Sequence, residues 1–521
     1  VSKDLALRIY TTHLLGNNPK LVLHGGGNSS VKSEGKNLFN KKVKLIYVKG
    51  SGWDMSNLNE NGMPGLYLDP LLETAKLKKL NDNDMINCLR SNLINSGSPN
   101  PSVETLLHAY LPFKYVDHTH SNAILSLVNL DNSKEILNKI YKDKIAIVPY
   151  VMPGFELAKL CHMVISKNHK VEGLMLLNHG IFTFGSSAKQ SYDRMIKLVT
   201  LAENFLNKQK KFIKYNINNK KINITDVQLC IRNLYHSVTN KRWIIKFNNK
   251  VEDVKFTNRK DLFNLFNKGP VTPDHVIRIK SEPLIIPNKH LSSSKMISNH
   301  INAYIKKYKN YFKKYKKNIT NSKIADPLPR IIILEGIGFL SIGLNKKEMQ
   351  VSYDIFDAMK KVIIKANLVS KFKSINNTDI FKMEYWPLER AKLNNQNTKK
   401  FNGNVAVITG GAGKIGSAIA NKFINENIEV ILLDKNFKNL DINIKKKCLC
   451  IECDLTNNSQ INKALNKILK LFGGIDILIA NSGAAFQGSM LNVKKDILEK
   501  SLEVNFYSHH NIVQKIANIM V

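Results

Sequence analysis

Cysteine is scarce in this sequence: Cys88, Cys161, Cys230, Cys448, Cys450 and Cys453 are the six in 521 residues. So few, so widely scattered, exclude a disulfide scaffold and fit a reducing cytoplasm. The close set Cys448, Cys450 and Cys453 invites a metal reading, but it lacks a second paired cluster. A buried strand leading to Asp454 is the preferred reading. Long apolar runs are also missing. No stretch reaches the ~18 residues needed to span a bilayer, and Val1 to Arg8 lack the basic-then-apolar order of a secretory signal. A cytoplasmic chain without membrane association is expected.

Acidic residues are the third shortage: 41 Asp and Glu stand against 78 Lys and Arg, a net charge of +37. Such an excess ordinarily suggests a nucleic-acid partner. Here the lysines are spread along the whole chain among many Asn and Ile, so no specific nucleic acid is expected. The densest runs are Lys208 to Lys211, Lys220-Lys221 and Tyr304 to Lys317. The last alternates aromatic and basic residues, as some single-strand binders do. A solvated helix with an inner Tyr/Phe stripe is the commoner origin.

The chain is too long for one core, and about three domains are expected. An apolar fraction of 43% argues for globular structure. Residues 1–225 alternate short apolar runs with helical stretches, and 226–398 form a mixed middle region. From 399 to 521 a strand, glycine turn, helix, strand pattern predicts a parallel α/β sheet. The Asn- and Lys-rich stretch Leu393 to Phe401 is the natural linker.

The most informative segment is Tyr115-Val-Asp-His-Thr-His120. In a strand His118 and His120 project from one face, because side chains repeat every two residues. His179 follows the apolar run Gly173 to Leu177, and Gly180 is expected to relax the backbone there so that the imidazole turns inward. Three His ligands with an open position make a catalytic metal site. The alternative is a pair of satisfied strand histidines. Ser102 is a plausible helix cap, with Glu104 in the first turn, where a carboxylate can serve as acid/base or merely complement the helix dipole. His108, a turn later, reads as structural. The loops His24 to Ser30 and Lys49-Gly50-Ser51-Gly52 offer bare N–H groups and small hydroxyls that can cradle a phosphate.

In this order these residues resemble the class II aldolase/adducin family over most of residues 1–210. The resemblance implies zinc on His118, His120 and His179, Glu104 as the catalytic acid/base, and a sugar phosphate held by Asn28, Ser29, Gly50, Ser51 and Ser102. It also implies a homo-oligomer with sites near subunit interfaces.

Near the other end, Val405-Ala-Val-Ile-Thr-Gly-Gly-Ala-Gly-Lys-Ile-Gly416 sets Gly411, Gly413 and Gly416, with Ile415, between a β-rich run and a helix. Glu429 to Leu433 then ends at Asp434, an acid placed to bind a ribose diol, so NAD is favoured over NADP. Asp454, Asn481-Ser482-Gly483 and Asn505 complete a resemblance to the short-chain dehydrogenase/reductase family. Lys414 stands where that family commonly has glycine. Asn505 matches its catalytic asparagine, whereas its catalytic Ser and Tyr-x-x-x-Lys do not occur before Val521. The expected fold is therefore α/β throughout: an aldolase-like domain, a mixed middle region, and a truncated doubly wound Rossmann sheet. The missing motif and the Val at position 1 read as a fragment of a longer protein.

The two halves together resemble bifunctional rhamnulose-1-phosphate aldolase/alcohol dehydrogenases. Gly269 to Arg278, Asp326 to Arg330 and Met383 to Glu389 extend that likeness through the middle region. It implies cleavage of L-rhamnulose 1-phosphate to dihydroxyacetone phosphate and L-lactaldehyde, then oxidation of the aldehyde with NAD. A pentulose-phosphate epimerase or related lyase is the alternative, and a non-enzymatic basic binding protein a remote third. The residues assign no role to the middle region; Thr272, Asp274 and His275 fit a site lining or a buried turn equally well.

Overall fold

The computed structural model describes residues 2–216, 222–319, 322–393, 399–489 and 491–520. Val1, Lys220-Lys221, the centre of the expected linker at 394–398, and Val521 lie outside the described residues. Among the described residues the strands fall into three sheets, and no helix is long and apolar enough to cross a membrane.

The first sheet has seven strands: β1 (Asn28–Lys36), β2 (Lys42–Val48), β3 (Gly65–Tyr67), β4 (Tyr115–Thr119), β5 (Ile145–Val148), β6 (Gly173–Leu176) and β7 (Gly180–Gly185). Their order is β3-β2-β1-β4-β7-β6-β5. The strand β4 lies at the centre, antiparallel to both β1 and β7, and its residues are all buried. That registry places Asn28 opposite His118, and His118 opposite Phe182.

β4 is anchored from behind. Asp117, whose side chain alternates to the face opposite His118, accepts from Arg8 Nη2 at 2.6 Å and from Ser191 Oγ at 2.5 Å. Arg8 and Asp117 are fully buried. Such a pair adds little net stability, but losing either partner strands the other charge, so it fixes β4 against the helices Lys3–Gly16 and Ala188–Asn207.

The middle region carries a second sheet, β8 (Ile244–Asn248), β9 (Leu284–Ile286), β10 (Ile331–Leu334) and β11 (Gly338–Gly343), in the order β8-β11-β10-β9. Its long helix Lys346–Val369 packs on β11 and also on the helix Asn122–Val128 of the first region. One apolar core runs through both: Leu125, Leu127 and Leu198 share it with Phe339, Phe356 and Met359. The two regions are thus held together by hydrophobic burial, and this brings middle-region loops over the first sheet. The 304–317 stretch lies mostly in the helix Ser294–Tyr315, with Tyr308 and Phe312 buried and its lysines on the other side.

The third sheet is parallel, β12 (Val405–Thr409), β13 (Glu429–Asp434), β14 (Leu449–Glu452) and β15 (Ile477–Ile479), ordered β14-β13-β12-β15. This is the doubly wound order, with the switch point between β12 and β15. Cys453 is buried beyond β14, and Cys448 and Cys450 are half-buried. Gln228, Arg232 and Ile244 of the middle region bind this domain; Arg232 grips Asp476 through both guanidinium nitrogens at 3.0 and 2.6 Å.

Candidate active site

β4 delivers His118 from its penultimate, buried position and His120 just beyond its end, while His179 comes from the β6–β7 turn. Their ligand atoms lie within 4.8 Å of one another, and His118 Nε2 is 3.0 Å from His120 Nε2. His118 Nδ1 is 3.0 Å from the carbonyl of Ile181, a partner that leaves Nε2 with its lone pair toward the cluster. Burial pushes the pKa of His118 well down and that of His179 down, which favours the neutral form that can ligate. Burial also opposes charge on His120, but the Asp274 carboxylate beside it more than offsets this and raises its pKa.

Gly180 acts differently from expectation. Its φ is not positive; the left-handed residue of the turn is Asn178, at φ 57°. What Gly180 provides is space. A Cβ there would lie 2.5 Å from the Thr119 carbonyl, 3.1 Å from His120 and 3.2 Å from His118.

Glu104 faces the three imidazoles. Its Oε2 is 3.6 Å from His118 Nε2 and its Oε1 3.5 Å from His179 Nε2. Asn28 Nδ2 donates to Oε2 at 2.6 Å and to Ser102 Oγ at 3.1 Å, whereas Oε1 is buried with no hydrogen-bond partner. Burial alone would raise the Glu104 pKa, yet His118, His179 and the Asn28 bond together bring it down to about 2. The helix begins only at Thr105, so Ser102 is not its cap and Glu104 stands just before its first turn. His108 holds Asn28 Oδ1 through Nε2 at 2.5 Å and Ser30 through Nδ1 at 2.8 Å, and burial lowers its pKa to about 3. Three imidazoles, two of them with pKa values lowered by burial, beside an ionised, half-satisfied carboxylate form a donor set that fits a divalent cation.

Two expected phosphate contacts are corrected. Strand alternation sends Asn28 and Ser30 to the site face and Ser29 to the other, where its hydroxyl bonds Thr12 at 2.7 Å. The Gly50 N–H is taken by the carbonyl of Gly62 at 2.8 Å. Of the two loops, Gly25 to Asn28, Ser51 and Gly52 line the cavity beside the histidines, together with Ser102. Behind them the Lys49 ammonium bonds the carbonyls of Gly25 and Trp53 at 3.1 and 2.7 Å, pinning the two loops together, while burial brings its pKa down to about 7.

The middle region also lines this cavity through Asp274, Met383, Glu389 and Lys392. Asp274 Oδ2 is 3.5 Å from His120 Nδ1, and Oδ1 accepts from Thr272. These contributions are not marked in the sequence by any spacing, because they come from another domain. The Asp274 and His275 turn was visible as a segment; its destination was not.

The third sheet brings its expected residues to one end. The Gly411 N–H donates to Leu433 O at 3.3 Å, and Ala412 N–H donates to Asp434 Oδ2 at 2.9 Å. Gly413 precedes the helix Lys414–Asn425, and Ile415 is 69% exposed. A Cβ on Gly416 would meet the Gly410 carbonyl at 2.3 Å. Asn481 Nδ2 bonds Thr409 O and Gly410 O at 3.0 and 3.2 Å, tying β15 to the glycine turn. Asp454 accepts from Thr456 and pairs with Lys435 at 3.0 Å. Asn505, in a π-helical turn, exchanges two bonds with the backbone of Ala484, and its Oδ1 is 3.2 Å from where a Gly483 Cβ would stand. The fingerprint omitted Gly410, whose φ of 61° and close approach to Ser482 require glycine. The glycine turn, helix start and strand-end acid fit a dinucleotide.

Comparison with known proteins divides the chain in three. The class II aldolase and adducin N-terminal domain matches residues 7–206, the second domain of class II aldolases 223–393, and the short chain dehydrogenase family 404–521. The uncharacterized oxidoreductase YuxG of Bacillus subtilis (strain 168) is 30% identical over 500 residues, covering 92% of this chain and 72% of YuxG. Short-chain dehydrogenase reductase 3a of Arabidopsis thaliana is 27% identical over 127 residues, 23% of this chain and 49% of its own length. The chain thus spans about half the length of such dehydrogenases. Among solved structures, the N-terminal class II aldolase domain of a conserved protein from Thermoplasma acidophilum is 38% identical, covering 40% of this chain and 95% of that one, with a TM-score of 0.38.

Proposed function

Since this chain belongs to the family in which class II aldolase domains are fused to a short-chain dehydrogenase domain, we propose that it cleaves a ketose 1-phosphate by a metal-dependent retro-aldol reaction. The preferred substrate is L-rhamnulose 1-phosphate, giving dihydroxyacetone phosphate and L-lactaldehyde. The dehydrogenase domain of the whole protein then oxidises the aldehyde with NAD. The observation that carries the reading is the convergence of His118, His120 and His179 on Glu104, beside loops with small side chains.

His118, His120 and His179 would hold the ion, which is proposed to be zinc. A divalent cation there supplies Lewis-acid stabilisation of negative charge on a substrate oxygen. Glu104 moves the proton at the carbon that gains electrons when the C–C bond breaks. Asn28 keeps one Glu104 oxygen occupied, so Oε1 is the oxygen left free for that transfer. The loops at Gly25 to Gly27 and Ser51-Gly52, with Ser102, face the phosphate, and the Lys49 bonds hold the two loops in register. In the third domain Asp434 suits a ribose diol better than a 2′-phosphate, which supports NAD over NADP.

The test is to assay bound metal in the purified chain and to add L-rhamnulose 1-phosphate with a coupled readout for dihydroxyacetone phosphate. His118→Ala and Glu104→Ala are run alongside. About one zinc per chain is expected, with cleavage lost in both variants and metal lost only in the histidine variant. Metal without cleavage would redirect the search to other ketose phosphates and to epimerisation. A folded protein without metal or turnover overturns the reading.

A further inference from the structure

The cavity beside the histidines is small, about 50 Å³, with room for only a few water-sized groups. It adjoins a cleft of about 690 Å³ that shares Gly25, Ser51, Gly52 and Lys392 with it. A substrate with its reacting carbon at Glu104 must extend into that cleft. The only one of these four shared residues with a charged side chain is Lys392, and it comes from the second domain.

Lys392 sits in the short turn Ala391–Leu393, directly after the helix Pro387–Arg390. Its Cγ is 4.0 Å from where a Cβ on Gly52 would stand, so its stem lies along the Ser51-Gly52 loop. Nζ pairs with Glu389 Oε1 at 2.5 Å. Glu389 is itself buried and lines the small cavity, and its other oxygen, Oε2, is buried with no partner. An unsatisfied buried carboxylate oxygen is costly, and a hydroxyl donor from a bound ligand would relieve it. Burial works against charge on Lys392, but Glu389, Asp274 and Glu104 outweigh it, so the ammonium stays protonated. Further out, the cleft also contains Arg278, a guanidinium with no hydrogen bond or ion pair among the described residues. The cleft lining also holds Lys347 and the carboxylates Asp54 and Glu348, so Lys392 is the cation nearest the histidine cavity, where it shares the Ser51-Gly52 loop.

We propose that the second domain reads the substrate within the same chain: Lys392 pairs with an anionic phosphate oxygen at the Ser51-Gly52 loop, and Glu389 Oε2 accepts a substrate hydroxyl. This rests on the ketose-phosphate reading above. It gives the middle region a task that the first domain cannot perform alone. A phosphate in contact with both loops and Lys392 is also held by both domains, so substrate binding tightens the closure of one on the other.

The test uses the full chain and three substitutions, Lys392→Met, Lys392→Gln and Glu389→Gln, with Lys392→Arg as the charge-retaining control. Metal content, thermal midpoint, KM and kcat for the ketose 1-phosphate, and inhibition by inorganic phosphate are measured. Neutral substitutions of Lys392 are expected to keep the metal, raise KM roughly tenfold to a hundredfold and weaken phosphate inhibition comparably, as for a lost charge-assisted hydrogen bond. Lys392→Arg should retain most phosphate affinity. Glu389→Gln should raise KM while phosphate inhibition changes much less. Unchanged KM and phosphate inhibition in a folded neutral Lys392 variant overturns the assignment. If the wild type cleaves no ketose phosphate, yet inorganic phosphate raises its thermal midpoint and not that of Lys392→Gln, the reaction assignment fails and the anion site stands. If phosphate protects neither, the anion site fails as well.

Discussion

Asp274→Ala is the sharpest probe of the proposed metal site, because it removes a group from one domain to weaken a histidine cluster built in another. Asp274 Oδ2 stands 3.5 Å from His120 Nδ1, and the same carboxylate accepts from Thr272 on its own turn. Two full charges at that separation would interact by about 5 kcal/mol at an effective dielectric of ~20. A neutral imidazole N–H feels only a fraction of this. Outer partners of ligating histidines typically contribute tenfold to a hundredfold in metal affinity, or about 1.4–2.7 kcal/mol, which agrees with that fraction. The prediction is a tenfold to hundredfold weaker zinc affinity in Asp274→Ala, and a smaller loss in Asp274→Asn, whose carbonyl still accepts. Competition with a chromogenic chelator measures it. The titration belongs at pH 8.5, because Asp274 raises the His120 pKa and protons would otherwise compete with the ion. Equal zinc affinities in wild type and a folded Asp274→Ala would refute the reasoning and leave Asp274 as a turn residue.

How far the site was legible depends on how local each part is. His118 and His120 share a face by the two-residue period of a strand, so their convergence follows from the six residues Tyr115 to His120. The same period, applied to Asn28-Ser29-Ser30, separates Ser29 from its neighbours, and grouping these residues as a loop concealed it. Gly180 was noticed for conformational freedom, but its place is dictated by the backbone of β4 and two imidazoles across the sheet, which no local pattern encodes. Asp274, Glu389 and Lys392 reach the cavity only because Phe339, Phe356 and Met359 share a core with Leu125 and Leu198. That docking is a hydrophobic contact between surfaces far apart in sequence. The parallel sheet was the most legible element, since its strand, glycine turn, helix and strand-end acid form one contiguous signal from Val405 to Asp434. Gly410 escaped it because its φ of 61° is a property of the turn and not of the glycine spacing.

Gly180→Ala should abolish metal binding or destabilise the first domain by several kcal/mol, because a Cβ 2.5 Å from the Thr119 carbonyl forces β7 away from β4; retained zinc stoichiometry with an unchanged thermal midpoint would contradict this. Lys32 gives a pH signature: burial lowers its ammonium pKa to about 7. Above pH 7 the fold has released a proton that the unfolded chain holds up to the ordinary lysine range, so this group's contribution to stability rises from pH 7 toward 10. Urea midpoints at pH 7, 8.5 and 10 should rise more in the wild type than in Lys32→Met, and parallel profiles would exclude Lys32 as the source. Arg232→Ala tests how the dehydrogenase-like domain is attached. Arg232 and Asp476 are both at least nine-tenths buried, and the guanidinium also bonds the carbonyls of Trp243 and Gly403. Removing it leaves Asp476 with Arg242 at 3.3 Å and the Val405 N–H as its remaining partners, so the loss should approach the ~3–5 kcal/mol of a broken buried pair. That loss falls on the contact between domains and on the β12 end that Asp476 holds. Limited proteolysis should then cut between residues 393 and 405 faster in Arg232→Ala, while zinc content and aldolase turnover stay at wild-type values. Unchanged cleavage rates would show that Gln228 and the apolar contacts around Ile244 suffice to hold the third domain.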